Sequence, residues 1–311
     1  MKKVICVPFA FEENMMSGTN IHSNTSNSTI LTYLKNASVA LISAKKHNLD
    51  SDVILVTNVD IEIIPLEIIN ILIKEGILIE TVPFNNFRFS SEYKWGLAFY
   101  KLCVLKYLIQ KNYSKICYVD TDVYIQGDFT PIWKEVDENI LLYDINHGLN
   151  TKEYVEICNE FTSYYNKESI ITHYGGEFFC SNLENAKIFI TEAEKVYKNM
   201  QARCFESKKG DEFIVSIVAY QFKNIVKNAS PYIYRFWTGV SFRLVSNCYV
   251  NNPVIILHVP AEKERGMIKI YEKYIKRGIL PKKEKVWKIF RLSKVPIYDK
   301  IIKLIINFVR I

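Results

Sequence analysis

Residues 115–129, KICYVDTDVYIQGDF, combine the pattern of a buried strand with two carboxylates one residue apart. On one continuous strand, Asp120 and Asp122 would point to the same face, where their charges would repel and one pKa would rise. At the carboxyl end of a strand, however, the same pair can bind a hard divalent cation such as Mg²⁺ or Mn²⁺. A solvated turn after a strand is the alternative, because Asp-x-Asp by itself is a weak motif.

Segments of strand length alternate with segments of helical periodicity before this stretch. The predicted strands cover 2–10, 52–58, 77–84 and the apolar run that enters Asp120, the predicted helices cover 34–48, 65–76 and 95–112, and a polar loop covers 11–30. This alternation is typical of an open, mostly parallel α/β sheet with helices on both faces, whose strands need no polar alternation. In such sheets ligands bind beyond the carboxyl ends of the strands.

The composition of the chain indicates a globular protein, since 49% of its 311 residues are hydrophobic and 23% are charged. This length allows one large α/β domain with an appendage, or two small domains. No run of about 18 uncharged apolar residues occurs, so no transmembrane helix is predicted. The seven cysteines are scattered without a Cys-x-x-Cys pair, which indicates buried, reduced thiols of a cytosolic protein rather than a disulfide framework or a zinc site.

Residues 99–133, FYKLCVLKYLIQKNYSKICYVDTDVYIQGDFTPIW, resemble the nucleotide-sugar-binding core of GT-A glycosyltransferases. The resemblance is nearest to the retaining family 8, which includes glycogenin and bacterial lipopolysaccharide glycosyltransferases, and it extends more weakly over 2–265. It rests on a helix with Lys101, on Tyr-Val-Asp-x-Asp and on the Gly-Asp pair that follows. It implies a Rossmann-like GT-A fold and a UDP-sugar donor, with Lys101 at the donor site. Asp120 and Asp122 would hold Mn²⁺ (or Mg²⁺) on the donor diphosphate.

A glycine pair in YGGEFFCSNLENAKIFI (174–190) is similar to the Gly-rich segment of that family, which leads into a strand and then a helix beside the sugar. The resemblance implies that the backbone at Gly175 and Gly176 approaches the donor closely, as only glycine allows. A simple tight turn is the alternative. Glu177 and Ser181 depart from the family pattern, and GGEFF is similar to another retaining GT-A family, the blood-group-type α-1,3-transferases.

Two acids open the predicted helix in SKKGDEFIVSIVAYQF (207–222), where the family has Asp-Gln. The resemblance implies that Asp211 binds acceptor or sugar hydroxyls and that Glu212 lies near the anomeric carbon, opposite the leaving UDP. A carboxylate there would act as a nucleophile or would stabilise an oxocarbenium-like transition state. The alternative is that both acids only complement the helix dipole.

A strand in PVIILHVPAEKERG (253–266) ends in His258, where family 8 has the third protein ligand of Mn²⁺. In the family, this histidine begins a His-x-x-Gly-x-x-Lys pattern that binds the diphosphate. Here the glycine is missing and the lysine is displaced, so Lys263 is the candidate for that contact. A neutral imidazole with two carboxylates suits Mn²⁺. A structural histidine is the alternative.

The chain ends in a basic segment, with fifteen Lys/Arg against five Asp/Glu from Pro260 onward, whereas the preceding residues have a net charge of −3. We therefore expect a GT-A domain over 1–265 and a basic amphipathic, helical extension over 266–311. After Pro296, apolar residues alternate with Lys300, Lys303 and Arg310, which favours a helix on an anionic membrane. Packing of this helix on the protein's own core is the alternative. No nucleic-acid recognition motif accompanies the charge.

Together these features predict a metal-dependent enzyme that moves a hexose from a UDP-sugar to a glycan or lipid-linked glycan acceptor, with retention of configuration. The expected setting is surface-polysaccharide, lipopolysaccharide or glycoprotein glycan assembly, at the cytoplasmic face of a membrane. The alternative is a non-catalytic or pyrophosphorylase-type sugar-nucleotide-binding α/β protein. A pyrophosphorylase would need a Gly-rich, Lys-rich phosphate loop near its N-terminus, and VPFAFEENMMSG (7–18) does not have that composition.

Overall fold

The structure is a computed structural model that describes residues 2–13, 26–146, 151–238 and 254–292, together with Ile301 and Ile305. The strands in these ranges are β1 (Lys3–Phe9), β2 (Asp52–Thr57), β3 (Leu78–Thr81), β4 (Lys115–Val119), β5 (Val123–Ile125), β6 (Ile140–Asp144), β7 (Tyr174–Asn182), β8 (Val226–Asn228), β9 (Ile233–Arg235) and β10 (Ile256–His258). The helices are α1 (Ser26–His47), α2 (Leu66–Lys74), α3 (Tyr100–Gln110), α4 (Thr130–Glu135), α5 (Lys152–Tyr165), α6 (Leu183–Ala202), α7 (Asp211–Gln221), α8 (Gly266–Arg277) and α9 (Lys283–Ile289).

Seven strands form one sheet in the order β3-β2-β1-β4-β7-β6-β8, and three form a small sheet in the order β5-β10-β9. In the large sheet, β7 alone runs antiparallel to its neighbours β4 and β6, while the other pairs are parallel. The predicted open, mostly parallel α/β sheet is therefore confirmed. From β1 the chain adds β2 and β3 on one side and then crosses to β4 on the other side of β1. Such a topological switch point is where open α/β sheets bind ligands.

Helices cover both faces of the large sheet, as the continuous apolar strands predict. In β1, Ile5 and Val7 belong to the core beneath α1, whereas Val4 and Cys6 belong to the core beneath α3 and α6. β2 and β4 divide their alternating residues between the same two cores. The strands thus have no polar face.

The first helix begins earlier than its sequence pattern predicts. α1 starts at Ser26, whereas the periodicity indicated Leu34 and a polar loop up to residue 30. Ile30 and Leu34 are both buried and lie one helical turn apart, so they share a face that packs on the sheet. Tertiary packing therefore extends the helix through Ser/Asn/Thr residues whose own helix propensity is low.

The carboxylate pair lies between two strands that belong to different sheets. β4 ends at Val119 in the large sheet, and β5 begins at Val123 in the small one. Asp120, Thr121 and Asp122 form the turn between them. The pair therefore lies beyond the carboxyl end of a strand, which confirms the sequence-based placement.

Residues 266–292 pack on the main core. Met267, Ile270 and Tyr271 of α8 are buried in the same cluster as β1 and α1, and Val286 of α9 joins them. The described residues contain no helix long and apolar enough to span a membrane. The boundary at residue 265 stays a prediction. The helix expected after Pro296 lies outside the described residues, apart from Ile301 and Ile305, which are helical.

Candidate functional site

Backbone hydrogen bonds hold the Asp120–Asp122 turn between β7 and β10. The amide of Asp120 donates to the carbonyl oxygen of Glu177 at 3.0 Å, and the amide of Val259 donates to the carbonyl oxygen of Asp122 at 3.0 Å. Both aspartates are therefore positioned by strands far from them in sequence. The second contact also brings the turn next to the end of β10, where His258 lies.

Asp120, Asp122 and His258 form a cluster with the composition of a metal site. One ligand atom from each lies within 4.8 Å of the other two, and His258 Nε2 is 3.3 Å from Asp122 Oδ2. Asp122 and His258 are buried, while Asp120 is half-buried. Two carboxylates and an imidazole are a donor set that suits Mn²⁺, and Mg²⁺ through the carboxylates. The structure thus brings the three predicted ligands together.

Two lysines border the cluster. Lys263 Nζ lies 3.2 Å from Asp122 Oδ2, and Lys101 Nζ lies 3.5 Å from Asp120 Oδ1. Burial acts to raise the pKa of the Asp122 carboxyl, but Lys263 and His258 outweigh it and hold that pKa well below its ordinary value. These neighbours favour the ionised form of Asp122, the form that a cation ligand needs. The displaced Lys263 still reaches the Asp120–Asp122–His258 cluster despite the missing glycine.

Glu177 lies behind His258 and orients its ring. Its carboxylate is completely buried, 3.2 Å from His258 Nδ1, and accepts two hydrogen bonds from Arg235 at 2.6 and 2.7 Å. With Nδ1 directed at Glu177, the Nε2 of His258 faces Asp122. Carboxylates behind metal-binding histidines commonly fix the ring in this way. Burial raises the pKa of Glu177, but Arg235 and His258 together bring it well below its ordinary value.

Arg235 connects this carboxylate to Glu212, the candidate catalytic residue. Its Nη2 lies 3.3 Å from Glu212 Oε1, and the other oxygen of Glu212 lies 2.9 Å from His173 Nε2. Burial raises the pKa of the Glu212 carboxyl, yet the His173 hydrogen bond and the charge of Arg235 lower it overall. Glu212 is thus an ionised carboxylate held from two sides.

Asp211 and Glu212 are adjacent in sequence but lie in different environments. It begins α7, is paired with Lys101 at 2.9 Å, and its side chain is only 5% exposed, against 23% for Glu212. Burial raises the pKa of Asp211 to about 6 against the effect of Lys101, and Glu212 adds to the rise. Environments that separate the pKa values of adjacent acids in this way are characteristic of catalytic pairs. Glu212 is the more accessible and the more acidic of the two.

Gly175 and Gly176 lie inside β7 and leave room for these charge pairs. A Cβ at Gly175 would lie 1.8 Å from Glu177 Oε2, and one at Gly176 would lie 2.1 Å from Asp211 Oδ2. The tight-turn alternative therefore does not apply, because both glycines belong to a strand. Among the described residues that line the cleft, neither glycine occurs. Close approach of their backbone to a donor stays a prediction.

One cleft of about 740 Å³, a size typical of small-molecule sites, is lined by most of these side chains, although Glu177 does not line it. It opens beyond the carboxyl ends of β1 and β4, at the topological switch point. The remaining candidates on its wall are Lys101, Asp120, Asp122, Asp211, Glu212, His258 and Lys263. Six aromatic residues also line it: Phe9, Phe11, Tyr33, Trp95, Tyr100 and Trp237.

Comparison with known families decides the class of protein. A family model described as Glycosyl transferase family 8 matches residues 24–175. This match covers 152 of the 311 residues, just under half, and supports recognition of the chain as a family 8 glycosyltransferase. The chain is therefore a glycosyltransferase with the GT-A fold, as the sequence resemblance predicts. A search of curated proteins found no match.

The matched segment contains only part of the site of this glycosyltransferase. Lys101, Asp120 and Asp122 lie within it, whereas Asp211, Glu212, His258 and Lys263 lie beyond residue 175. The structure brings both groups to the same cleft. The geometry therefore supports the candidates that the match does not reach.

Sequence reasoning did not predict that Arg235 and His173 belong to the site, and it noted Glu177 only as a departure from the family pattern. Arg235 occurs in YIYRFW, where no motif distinguishes it from a surface arginine, and His173 precedes the glycine pair without a recognisable spacing. Glu177 offered one signal, since an acid in the middle of a buried strand needs a cationic partner. The identity of that partner required the tertiary structure.

Proposed function

We propose that this glycosyltransferase moves a hexose from a UDP-sugar to a glycan acceptor, with a divalent metal and with retention of configuration. One observation carries the proposal. A single cleft has a cluster of two aspartates and a histidine on its wall together with an ionised, accessible Glu212. The cluster of two aspartates and a histidine suits a metal-bound diphosphate, and Glu212 suits a reacting sugar.

More residues of the cleft are proposed to contact the donor than to contact the acceptor. Asp120, Asp122 and His258 would hold Mn²⁺ or Mg²⁺, which when bound supplies Lewis-acid stabilisation of the departing diphosphate. Lys263 and Lys101 contribute positive charge within 3.5 Å of the two aspartates. In the proposed reaction these lysines orient the diphosphate and balance its charge.

Glu212 is the residue proposed to act at the anomeric carbon. Arg235 and His173 hold its carboxylate in place and keep it ionised. A preorganised carboxylate serves there either as a nucleophile or as the charge that stabilises an oxocarbenium-like transition state. Asp211, which is more buried and is paired with Lys101, is proposed to bind a sugar or acceptor hydroxyl.

The proposed acceptor is a glycan or lipid-linked glycan in surface-polysaccharide, lipopolysaccharide or glycoprotein assembly. The basic, apolar sequence after Pro296 supports a peripheral position at the cytoplasmic face of an anionic membrane. The match to a glycosyltransferase family model favours transfer over the alternative of a pyrophosphorylase or non-catalytic sugar-nucleotide-binding protein.

The test is turnover of a panel of UDP-hexoses and UDP-N-acetylhexosamines with and without Mn²⁺. We expect turnover that needs the metal, and loss of both Mn²⁺ and UDP binding in Asp122→Ala. Asp60→Ala is the matched control, because Asp60 is exposed and its side chain caps no helix. If no donor in the panel binds or hydrolyses, the proposed donor class is wrong.

A further inference from the structure

A second opening, distinct from the donor cleft, lies between α8 and α9. This basic groove has a volume of about 630 Å³. Its cationic wall consists of Arg265, Lys269, Lys273, Lys285, Lys288 and Arg291. Glu262 is the one acid on its wall among the described residues. The groove thus concentrates positive charge in a volume that can enclose a small anionic group.

The charge of the groove is not neutralised within the described chain. Glu262 is buried and accepts hydrogen bonds from Arg291 and Thr238, so its charge is already paired with one cation of the wall. None of the other five cations of the wall forms an ion pair with an acid in the part of the chain that the structure describes. Slight burial and the neighbouring cations, Lys285 first among them, lower the pKa of Lys273. Bound anions would relieve this repulsion.

We propose that the basic groove binds the phosphate-bearing headgroups of an anionic membrane. Multiple cations around one opening match clustered phosphates, and cations near an anionic leaflet add to binding. A second observation favours a lipid surface over a soluble polyanion. Ile301 and Ile305 are both helical, are four residues apart in the sequence, and are 51% and 56% exposed. Residues so spaced share a helix face, and an exposed apolar face next to basic segments is typical of interfacial helices.

The position of the groove relates it to the active site. Glu262 lies on the wall of the groove, and the next residue, Lys263, lies on the wall of the donor cleft. The two openings therefore share the short segment after β10. A protein bound to headgroups through the groove would hold its cleft close to a lipid-linked acceptor. The inference rests on the proposed membrane attachment and assigns it to a described surface.

The test is co-sedimentation with vesicles of phosphatidylglycerol and phosphatidylcholine, compared with vesicles of phosphatidylcholine alone. The groove variant replaces Lys269, Lys273, Lys285 and Lys288 by Gln in the full chain. Each lysine near an anionic leaflet contributes about fivefold in partitioning, so we expect the four replacements together to cause a loss of about 600-fold. The matched control replaces four exposed lysines elsewhere, Lys134, Lys198, Lys223 and Lys227, by Gln and changes the net charge equally. The control should lose at most a few-fold.

Equal binding of the groove variant and the control variant to anionic vesicles would overturn the inference. So would vesicle binding that is lost only in Ile301→Ser/Ile305→Ser, although membrane attachment itself would then stand. Tight binding of tripolyphosphate that the groove variant loses, without any effect on vesicle binding, would identify a soluble polyanion instead. UDP binding is measured on every variant, because retained UDP binding shows that the fold and the donor site are intact.

Discussion

The replacement Gly176→Ala tests whether the arrangement of charges over β7 is needed for activity. The added methyl group would lie 2.1 Å from Asp211 Oδ2 and 2.8 Å from Lys101 Nζ. Ordinary contact begins at 3.4 Å, so the Asp211 carboxylate would have to withdraw by about 1.3 Å. Gly176 is not among the described residues with positive φ, and alanine fits its backbone without strain. The effect is therefore steric and is directed at one ion pair.

The expected loss has two parts. Insertion of a methyl group into a packed site costs about 1–3 kcal/mol of unfolding free energy, because the surroundings must shift. Asp211 and Lys101 are both largely buried, which leaves little room for the shift. A displacement of about 1 Å near reacting groups lowers turnover by about a hundredfold. We expect both effects in the same variant.

The assays are urea unfolding, calorimetric UDP binding and UDP-sugar turnover. Gly127→Ala is the matched control, since a Cβ there would meet only Ile255 side-chain atoms, at 3.8 Å. We expect the control to keep its stability within about 1 kcal/mol and its turnover within a few-fold. If Gly176→Ala behaves like Gly127→Ala in all three assays, the close approach of Asp211 and Lys101 to β7 is not required, and the reasoning fails.

Three further replacements probe the buried charges. Arg235→Met should lower the unfolding free energy by about 3–5 kcal/mol, because Glu177 would stay buried without its main partner. In urea unfolding, the double variant Arg235→Met/Glu177→Leu should lose less stability than Arg235→Met. A larger loss of stability in the double variant would contradict this account. Glu177→Gln should weaken Mn²⁺ binding about 10–100-fold through the orientation of His258; unchanged affinity by calorimetry would exclude that role. Glu212→Gln should keep UDP binding but lose at least about a hundredfold in turnover, and retained turnover would remove Glu212 from the mechanism.

The sequence alone determined the class of fold and part of the site. Short continuous apolar runs such as residues 4–9 fit strands that are covered on both faces, and their alternation with helical segments indicates a parallel α/β sheet. The Asp-x-Asp pair after such a run indicated the carboxyl end of a strand. These inferences succeed because the period of a pattern and the end of an apolar run are local properties of the chain.

The tertiary structure alone decided which distant side chains meet. Glu177 and Arg235 are separated by 58 residues, and His173 and Glu212 by 39, so no local pattern relates them. They meet because β7 pairs antiparallel with β4 and because β9 and β10 form a second sheet with β5. Strand order and register across a sheet depend on packing of the whole chain. For the same reason the sequence showed Gly175 and Gly176 as a pair, but only the packed structure showed that they leave room for two buried ion pairs.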